Sequence, residues 1–371
     1  MSNNFGSYIR KARIKAGLGQ RELARLVGIS APYLNDLEHS KRKAPSNEIL
    51  LSLKVKLNLN EEKFNDLAGI SKHSLPPDIY KYLFNNSEAV SLVRVLNNLE
   101  LSKNKLLEIK KMITSKNFKA IIIAAGLGSR LGELTKEIPK CMLKLNGKSL
   151  LQRQVEAFSK NGIKDVSVIR GYLKEKINLK GIKYYENPDY ERNNILNSLF
   201  YAEKELNGNV IVSYSDIIFS PKIVERLLES NADISIVVDV DWRGSYTNRK
   251  DHPIEEAENV IFDANHAVVD IGKIMTNRGD VHGEFIGMMK FSPKGAEIFK
   301  KHFHRAKQLF WNKPFQKCKK FQNAYLTDIL KDMAELGVPI HSVIIEQGWK
   351  EIDTIEDYNN ALSRIEELEY V

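Results

Sequence analysis

The segment Lys119-Ala-Ile-Ile-Ile-Ala-Ala125 runs directly into Gly126-Leu-Gly-Ser-Arg130. An unbroken apolar run with three consecutive isoleucines predicts a strand buried on both faces, the habit of a sheet covered by helices on either side. A glycine-rich turn at the carboxyl end of such a strand is where open α/β sheets bind ligands. The chain from Phe118 onward keeps to this scheme. Further strands are predicted at 165–169, 182–185, 210–213, 234–238 and 340–345, with helices at 149–161, 195–205 and 220–229 between them. The expected body, residues 117–371, is therefore α/β, a parallel or mixed sheet with helices on both faces.

The first seventy residues are different. They lack β-branched alternation and read as five short helices separated by Gly and Ser. In Gln20-Arg-Glu-Leu-Ala-Arg-Leu-Val27 the apolar Leu23, Leu26 and Val27 share one face; Gly28 suits a left-handed helix stop and Ser30 an N-cap for Ala31-Pro-Tyr-Leu-Asn-Asp-Leu-Glu38. Residues 1–72 hold thirteen Lys and Arg against seven Asp and Glu, so most of the formal +9 of the chain lies here. That points to nucleic acid or a phosphorylated partner, against the plainer reading of a solvated basic face. The segment resembles the repressor-type helix-turn-helix family. The resemblance implies a DNA-binding domain over 1–70 with Ala31, Tyr33 and Asn35 near base edges, and with Gln20 and the run Lys41, Arg42, Lys43 near phosphates. It also implies a homodimer reading a two-fold site on duplex DNA. A packing module that no longer binds DNA is the competing reading. Residues 71–116 open on Pro76-Pro77 and continue with apolar residues at helical spacing, such as Ile79 and Leu83, then Val90, Val93 and Leu96. They predict two or three amphipathic linker helices, able to pack on a domain or to self-associate.

Within the body, Gly126 and Gly128 let the backbone approach a phosphate chain with its N–H groups exposed, and Arg130 adds a cationic fork. A dinucleotide fingerprint fails because Leu131 stands where its third glycine belongs. A P-loop ending at Gly147-Lys-Ser149 fails because Met142 occupies its first glycine. His302-Phe-His304, flanked by Lys300, Lys301 and Arg305, reads as a solvated helical face rather than a metal site. Ala124-Ala-Gly-x-Gly-x-Arg130, then Thr135, Pro139-Lys140, Gly147-Lys148 and Leu150-Leu151 together resemble the nucleotidyltransferases that make nucleotide-diphosphate sugars and alcohols. The resemblance extends from about Lys119 to Asp357 and implies a Rossmann-like nucleotidyltransferase mixed sheet, preceded by the small all-α domain.

What it implies for the site follows residue by residue. Ala124, Ala125, Gly126, Gly128 and Ser129 would hold the triphosphate, Arg130 its outer phosphates and Lys140 the α-phosphate. Asp216, in Tyr214-Ser-Asp216, and Asp353, in Ile352-Asp353-Thr354, match metal positions and imply Mg²⁺, whose preference is for oxygen ligands; helix capping is the plainer use of each. Asn193-Asn-Ile-Leu-Asn-Ser-Leu199, Val238-Asp-Val-Asp-Trp242, Asp251-His-Pro-x-Glu-Glu-Ala257 and Gly283-Glu-Phe-Ile-Gly287 resemble the cytidylyltransferases of phosphocholine, inositol phosphate or phosphonates. Those marks imply Asn194 and Ser198 beside the nucleotide, with Trp242 and Glu284 facing the acceptor. The implied activity is transfer of CMP from CTP, or another NTP, to a phospho-alcohol, phosphonate or sugar-phosphate acceptor. The alternatives are a sugar-1-phosphate nucleotidyltransferase and a transcription regulator that senses a metabolite through its transferase-like body. An acceptor phosphate is largely ionised at neutral pH, which accounts for the lack of an evident base or nucleophile. Two cysteines are too few for a disulfide framework and no apolar run approaches a membrane span, so the expected location is the cytoplasm.

Overall fold

The computed structural model describes residues 4–59, 61–115, 117–247, 249–273, 275 and 278–370. The chain divides into two compact units, Met1–Lys105 and Leu106–Val371; Lys116, where the linker was expected to end, lies outside the described residues.

The first unit begins with five helices, α1 (Phe5–Lys15), α2 (Gln20–Val27), α3 (Ala31–Glu38), α4 (Asn47–Leu57) and α5 (Glu61–Lys72). Their apolar faces close on one core containing Phe5, Ile9, Leu23, Val27, Leu34, Leu37, Leu50, Leu53 and Phe64. Gly28 ends α2 in the left-handed region at φ +75°, and the Ser30 hydroxyl accepts the Tyr33 amide at 3.2 Å to start α3. The helix-turn-helix expected from these residues is present. Arg13 on α1 grips Glu38 on α3 through two hydrogen bonds, at 2.6 and 2.8 Å, with the Glu38 side chain wholly buried. Two further helices, α6 (Pro77–Phe84) and α7 (Ser87–Asn98), belong to this unit, and α8 (Lys103–Ser115) spans the boundary between the units along the chain.

The second unit is built on a nine-stranded mixed sheet. Its parallel centre consists of β1 (Phe118–Ala124), flanked by β4 (Asp165–Arg170) and β6 (Asn209–Tyr214), with β5 (Lys183–Glu186) beyond β4. Two small ladders stand apart from it. One joins β2 (Lys144–Leu145) to β3 (Lys148–Ser149); the other joins β7 (Ile217–Phe219) to β13 (Trp349–Glu351). On the far side of β6 runs an antiparallel strand, β11 (Gly283–Phe291), buried at all nine positions; the expected strand list lacked it. It pairs in turn with β8 (Ile234–Asp239) and with β9 (Asn259–Phe262). β10 (Val268–Gly272) extends β9, and β12 (His341–Ile345) runs parallel to β8.

Helices cover both faces, dividing the apolar interior in two. One core collects α10 (Ile195–Leu199), α12 (Pro293–Phe310) and α13 (Leu326–Glu335), and the other collects α9 (Leu150–Lys160) and α11 (Pro221–Glu229). α14 (Ile355–Tyr370) follows β13. The helix expected over 195–205 gives way after Leu199 to a 3₁₀ stretch, within which Ala202 leaves helical geometry at φ −107°. No helix of the described residues is long and apolar enough to cross a membrane.

Removing one partner of the buried Arg13–Glu38 pair strands the other without a counter-charge. Arg13→Ala should therefore destabilise the first unit by about 3 kcal/mol. Amide hydrogen exchange on the full chain should show faster exchange across α1–α5 and unchanged protection in the sheet.

Candidate functional site

Open sheets gather ligands at the carboxyl ends of their parallel strands, and β1 and β6 end together. The loop after β1 turns at Gly128, at φ +64°, where a Cβ would stand 3.0 Å from the Lys140 side chain. Glycine is needed there for both conformation and space. Thr135 pins the loop from beneath, its hydroxyl donating to the Gly128 carbonyl at 2.9 Å. Lys140 lies in the 3₁₀ turn after Pro139, and its ammonium donates to Asp216 at 2.8 Å and to Asp353. Arg130 also donates to Asp353.

Two residues from distant parts of the chain meet here because the β7–β13 ladder couples them: the Ile352 amide donates to the Asp216 carbonyl at 2.9 Å. Burial works against the Lys140 charge, but Asp216, Asp353 and Glu351 outweigh it and raise its pKa. Burial likewise opposes the Asp353 charge, and Lys140 and Arg130 overcome it, so that its pKa falls. Glu351 goes the other way. Buried, and beside Asp353 and Asp216, it is held well above the usual carboxylate range.

These groups border a cavity of about 500 Å³. Of the residues singled out from sequence, it brings together Ala124, Ala125, Gly126, Gly128, Ser129, Arg130, Lys140, Asn194, Ser198, Asp216, Glu284 and Asp353. Asn194 caps α10, accepting the Ile195 amide at 2.8 Å, and the Ser198 hydroxyl receives Asn187 at 2.8 Å. Trp242 is not among the lining residues. It is 1 % exposed, edge-on to Tyr246 with Arg243 over its ring, and belongs to a small core with Ala257.

The cavity also carries residues that were not singled out. His252, Glu351 and Asp353 offer ligand atoms within 4.8 Å of one another. Glu351 stands two residues before Asp353, with the buried Ile352 between them; that alternation in an extended segment was its signal in the sequence. Farther round, Glu258 accepts from Tyr214 at 3.1 Å and Thr327 at 3.3 Å, while Glu284 accepts from Tyr246. Burial pushes Glu258 up to about 7 and Glu284 up to about 8. Lys273 pairs with Glu256 at 2.9 Å on the same wall. Gly287 makes room for Tyr214, since a Cβ there would lie 2.4 Å from the ring.

Asp357, in the first turn of α14, ties this edge down. It accepts the amides of Asp353 at 3.1 Å and Thr354 at 2.9 Å, and it pairs with Arg249 at 2.8 Å. His252 Nδ1 lies 3.4 Å from it.

Sheet order, glycine loop and the Lys140 cluster define an α/β nucleotidyltransferase. The comparisons agree. Residues 120–269 match the MobA-like NTP transferase domain and residues 9–72 a helix-turn-helix domain. A CTP:phosphoglutamine cytidylyltransferase of Campylobacter jejuni is 30% identical over 250 residues, 64% of this chain and 96% of that protein. A 2-aminoethylphosphonate cytidylyltransferase of Lancefieldella rimae is 27% identical over 64% of this chain and 89% of its own length. The solved CTP:phosphocholine cytidylyltransferase of Streptococcus pneumoniae shares the fold, with a TM-score of 0.52 at 23% identity, covering 67% of this chain and 99% of that one. The chain belongs to the cytidylyltransferase family of MobA-like nucleotidyltransferases and carries a helix-turn-helix domain in front of the transferase.

Burial alone would raise Asp357, but His252, Arg249 and the amides it accepts bring it down to about 2. A carboxylate depressed in the folded state adds stability above its unfolded pKa and loses it as pH falls through the folded value. Asp357→Asn should cost the body about 2 kcal/mol at neutral pH. It should also flatten the loss of stability on acidification from about pH 4 towards about 2. Chemical denaturation followed across that range checks both.

Proposed function

We propose that the body transfers CMP from CTP to a phosphate monoester or phosphonate that carries an ammonium group, releasing pyrophosphate, with Mg²⁺ as cofactor. The observation that carries this reading is the convergence of Lys140, Asp216 and Asp353 at the glycine loop. An oxygen of the acceptor's phosphate attacks the α-phosphorus, the bond from α-phosphorus to the bridging oxygen of the β-phosphate breaks, and the electron pair leaves with pyrophosphate. The acceptor arrives already ionised, so the chain has no proton to remove. Its work is to position two anions and to offset their charge.

In this reading the amides of the Ala124–Ser129 loop cradle the triphosphate. Arg130, with its side chain half-exposed, holds the outer phosphates. Lys140 meets the charge that develops around the α-phosphorus. Asn194 and Ser198 border the nucleotide. Asp216 and Asp353 suit Mg²⁺: both offer oxygen, and Asp216 Oδ1 is buried with no hydrogen-bond partner among the described residues. When bound, Mg²⁺ supplies neutralisation of phosphate charge.

Support for a cationic acceptor comes from the rest of the wall. Glu258 and Glu284 are buried, line the cavity and accept from hydroxyl groups. An ammonium group is the partner that would favour their ionised forms. The relatives from Campylobacter and Lancefieldella, and the Streptococcus enzyme, are named for phosphoglutamine, 2-aminoethylphosphonate and phosphocholine.

Pyrophosphate release should be measured with CTP, UTP, ATP and GTP against phosphocholine, 2-aminoethylphosphonate, inositol phosphate and glucose-1-phosphate. CTP with a cationic acceptor should lead, and Asp216→Ala should lower turnover by orders of magnitude. The KM for phosphocholine relative to that for inositol phosphate should fall as pH rises through about 7 and about 8, where Glu258 and Glu284 ionise. Exclusive use of glucose-1-phosphate with UTP would make the body a sugar nucleotidyltransferase. Nucleotide binding without turnover on any acceptor would make it a sensor.

For the first unit the proposed role is binding of duplex DNA through α3. Ala31, Tyr33 and Asn35 lie towards base edges in this reading, with Gln20, Lys41, Arg42 and Lys43 towards phosphates. The last three are exposed, and Arg42 lies 5.0 Å over the Tyr33 ring. DNA affinity should fall steeply with salt, and Lys41→Ala or Lys43→Ala should flatten that dependence by about one unit of slope. Titration at several salt concentrations, on a duplex selected from random sequence, measures it.

A further inference from the structure

A helix that is apolar around its whole circumference belongs in an interior. α6 comes close to this: Pro77, Ile79, Tyr80, Tyr82, Leu83 and Phe84 leave one polar edge, where Asp78 and Lys81 lie three residues apart. None of its residues is buried. Phe84 is 77 % exposed, Tyr82 60 % and Tyr80 59 %, with Tyr80 and Phe84 stacked on each other one turn apart. α7 returns beside it and is equally bare. Leu92, Val95 and Leu99, at i, i+3 and i+7, form an exposed stripe, and Val93 lies next to it.

Those seven side chains and Ile79, eight in all and about half-exposed, together leave roughly 700 Å² uncovered. It is close to the ~800 Å² that each partner buries in a standard protein interface. This side chain set is not what water selects for, and the charge around it narrows the occupant. From Pro77 to Asn98 there are two acidic residues, Asp78 and Glu88, and two basic ones, Lys81 and Arg94. The hairpin is neutral, so it offers no attraction to a polyanion or a strongly acidic protein, and a second copy meets no repulsion from it.

We infer that the α6–α7 hairpin is a self-association surface, and that its occupant is the same hairpin of a second copy of this chain. A closed two-fold pairing buries the same residues on both copies and leaves no unpaired patch to propagate. It places the chain's two-fold axis at the hairpin rather than in the catalytic body. Transferase activity and assembly are then separable properties.

The test is the mass of the full chain in solution, by sedimentation or light scattering over a micromolar dilution series. The wild-type protein should be a dimer. Leu92→Glu with Leu99→Glu, and separately Tyr80→Ser with Phe84→Ser, should weaken self-association at least tenfold. Because these side chains are exposed and lie outside the transferase, the melting of the catalytic body and the rate of pyrophosphate release should not change. Leu51→Glu with Val55→Glu, at exposed apolar positions on α4, should leave the dimer intact. A wild-type monomer throughout the series would overturn the inference. So would a dimer that persists in both hairpin variants, which would put the interface elsewhere. A monomer whose hairpin amides resist hydrogen exchange would show that the chain itself covers the surface, and overturns it too.

Discussion

Three carboxylates, Asp216, Glu351 and Asp353, crowd around a single buried ammonium, that of Lys140. Like charges at such range cannot all stay ionised without a cation among them. The rest of the body can be read as the means of holding this arrangement in place. Asp216 follows the end of β6, and Asp353 follows the end of β13. The β7–β13 ladder fixes their spacing through the Ile352 amide on the Asp216 carbonyl. Lys140 reaches both because Gly128 has no side chain to block its path. Asp357 then holds the Asp353 backbone, and Arg249 holds Asp357. Each layer positions the one inside it, which is how a charged cluster keeps a fixed geometry in the absence of substrate.

The balance of charge on the cavity wall follows from this. Asp216, Glu256, Glu258, Glu284, Glu351 and Asp353 outnumber Arg130, Lys140 and Lys273. A site meant for a triphosphate would ordinarily be basic. On the proposed reading this excess is met by cations that arrive with the ligands, a divalent ion on the nucleotide side and an ammonium group on the acceptor side. Burial holds the glutamates above their ordinary pKa, while Lys140 and Arg130 hold Asp353 below it. Carboxylates in direct contact with a cation stay charged, and those without one move towards the neutral form.

The sequence made the central strands legible for a physical reason. β1, β4, β6 and β8 are buried on both faces, so they read as continuous apolar runs. β11 is just as buried, but Gly283, Glu284, Gly287 and Lys290 interrupt its pattern and disguise it. Glu284 lines the cavity and Gly287 makes room for the Tyr214 ring; a buried carboxylate and close packing removed the signal. The glycine loop, Lys140 and the two aspartates were legible because each belongs to a local motif. His252 and Glu256 lie in the marked segment 251–257, but Glu258 and Lys273 reach the cavity from positions outside any marked motif, and only the fold gathers them. Trp242 is the opposite case. An aromatic residue in a marked segment suggested a wall for the acceptor, yet the indole's apolar area is buried with Tyr246 and Ala257 instead.

In the first unit the same polar residues serve the fold and the surface. Gln20 donates to Asn35 Oδ1 at 3.3 Å and to Glu38 at 3.2 Å, and Glu38 is the buried partner of Arg13. The network runs from α1 through α2 to α3, so the orientation of Asn35 depends on a charge pair in the interior. With Oδ1 engaged by Gln20, the Asn35 amide group contributes chiefly its N–H donors to any contact beyond the protein. On the proposed DNA reading this favours acceptor edges, such as N7 and O6 of guanine, over the paired donor and acceptor contact that asparagine makes with adenine. Base preference at that position would then be set by Gln20, a residue on the neighbouring helix, as much as by Asn35 itself.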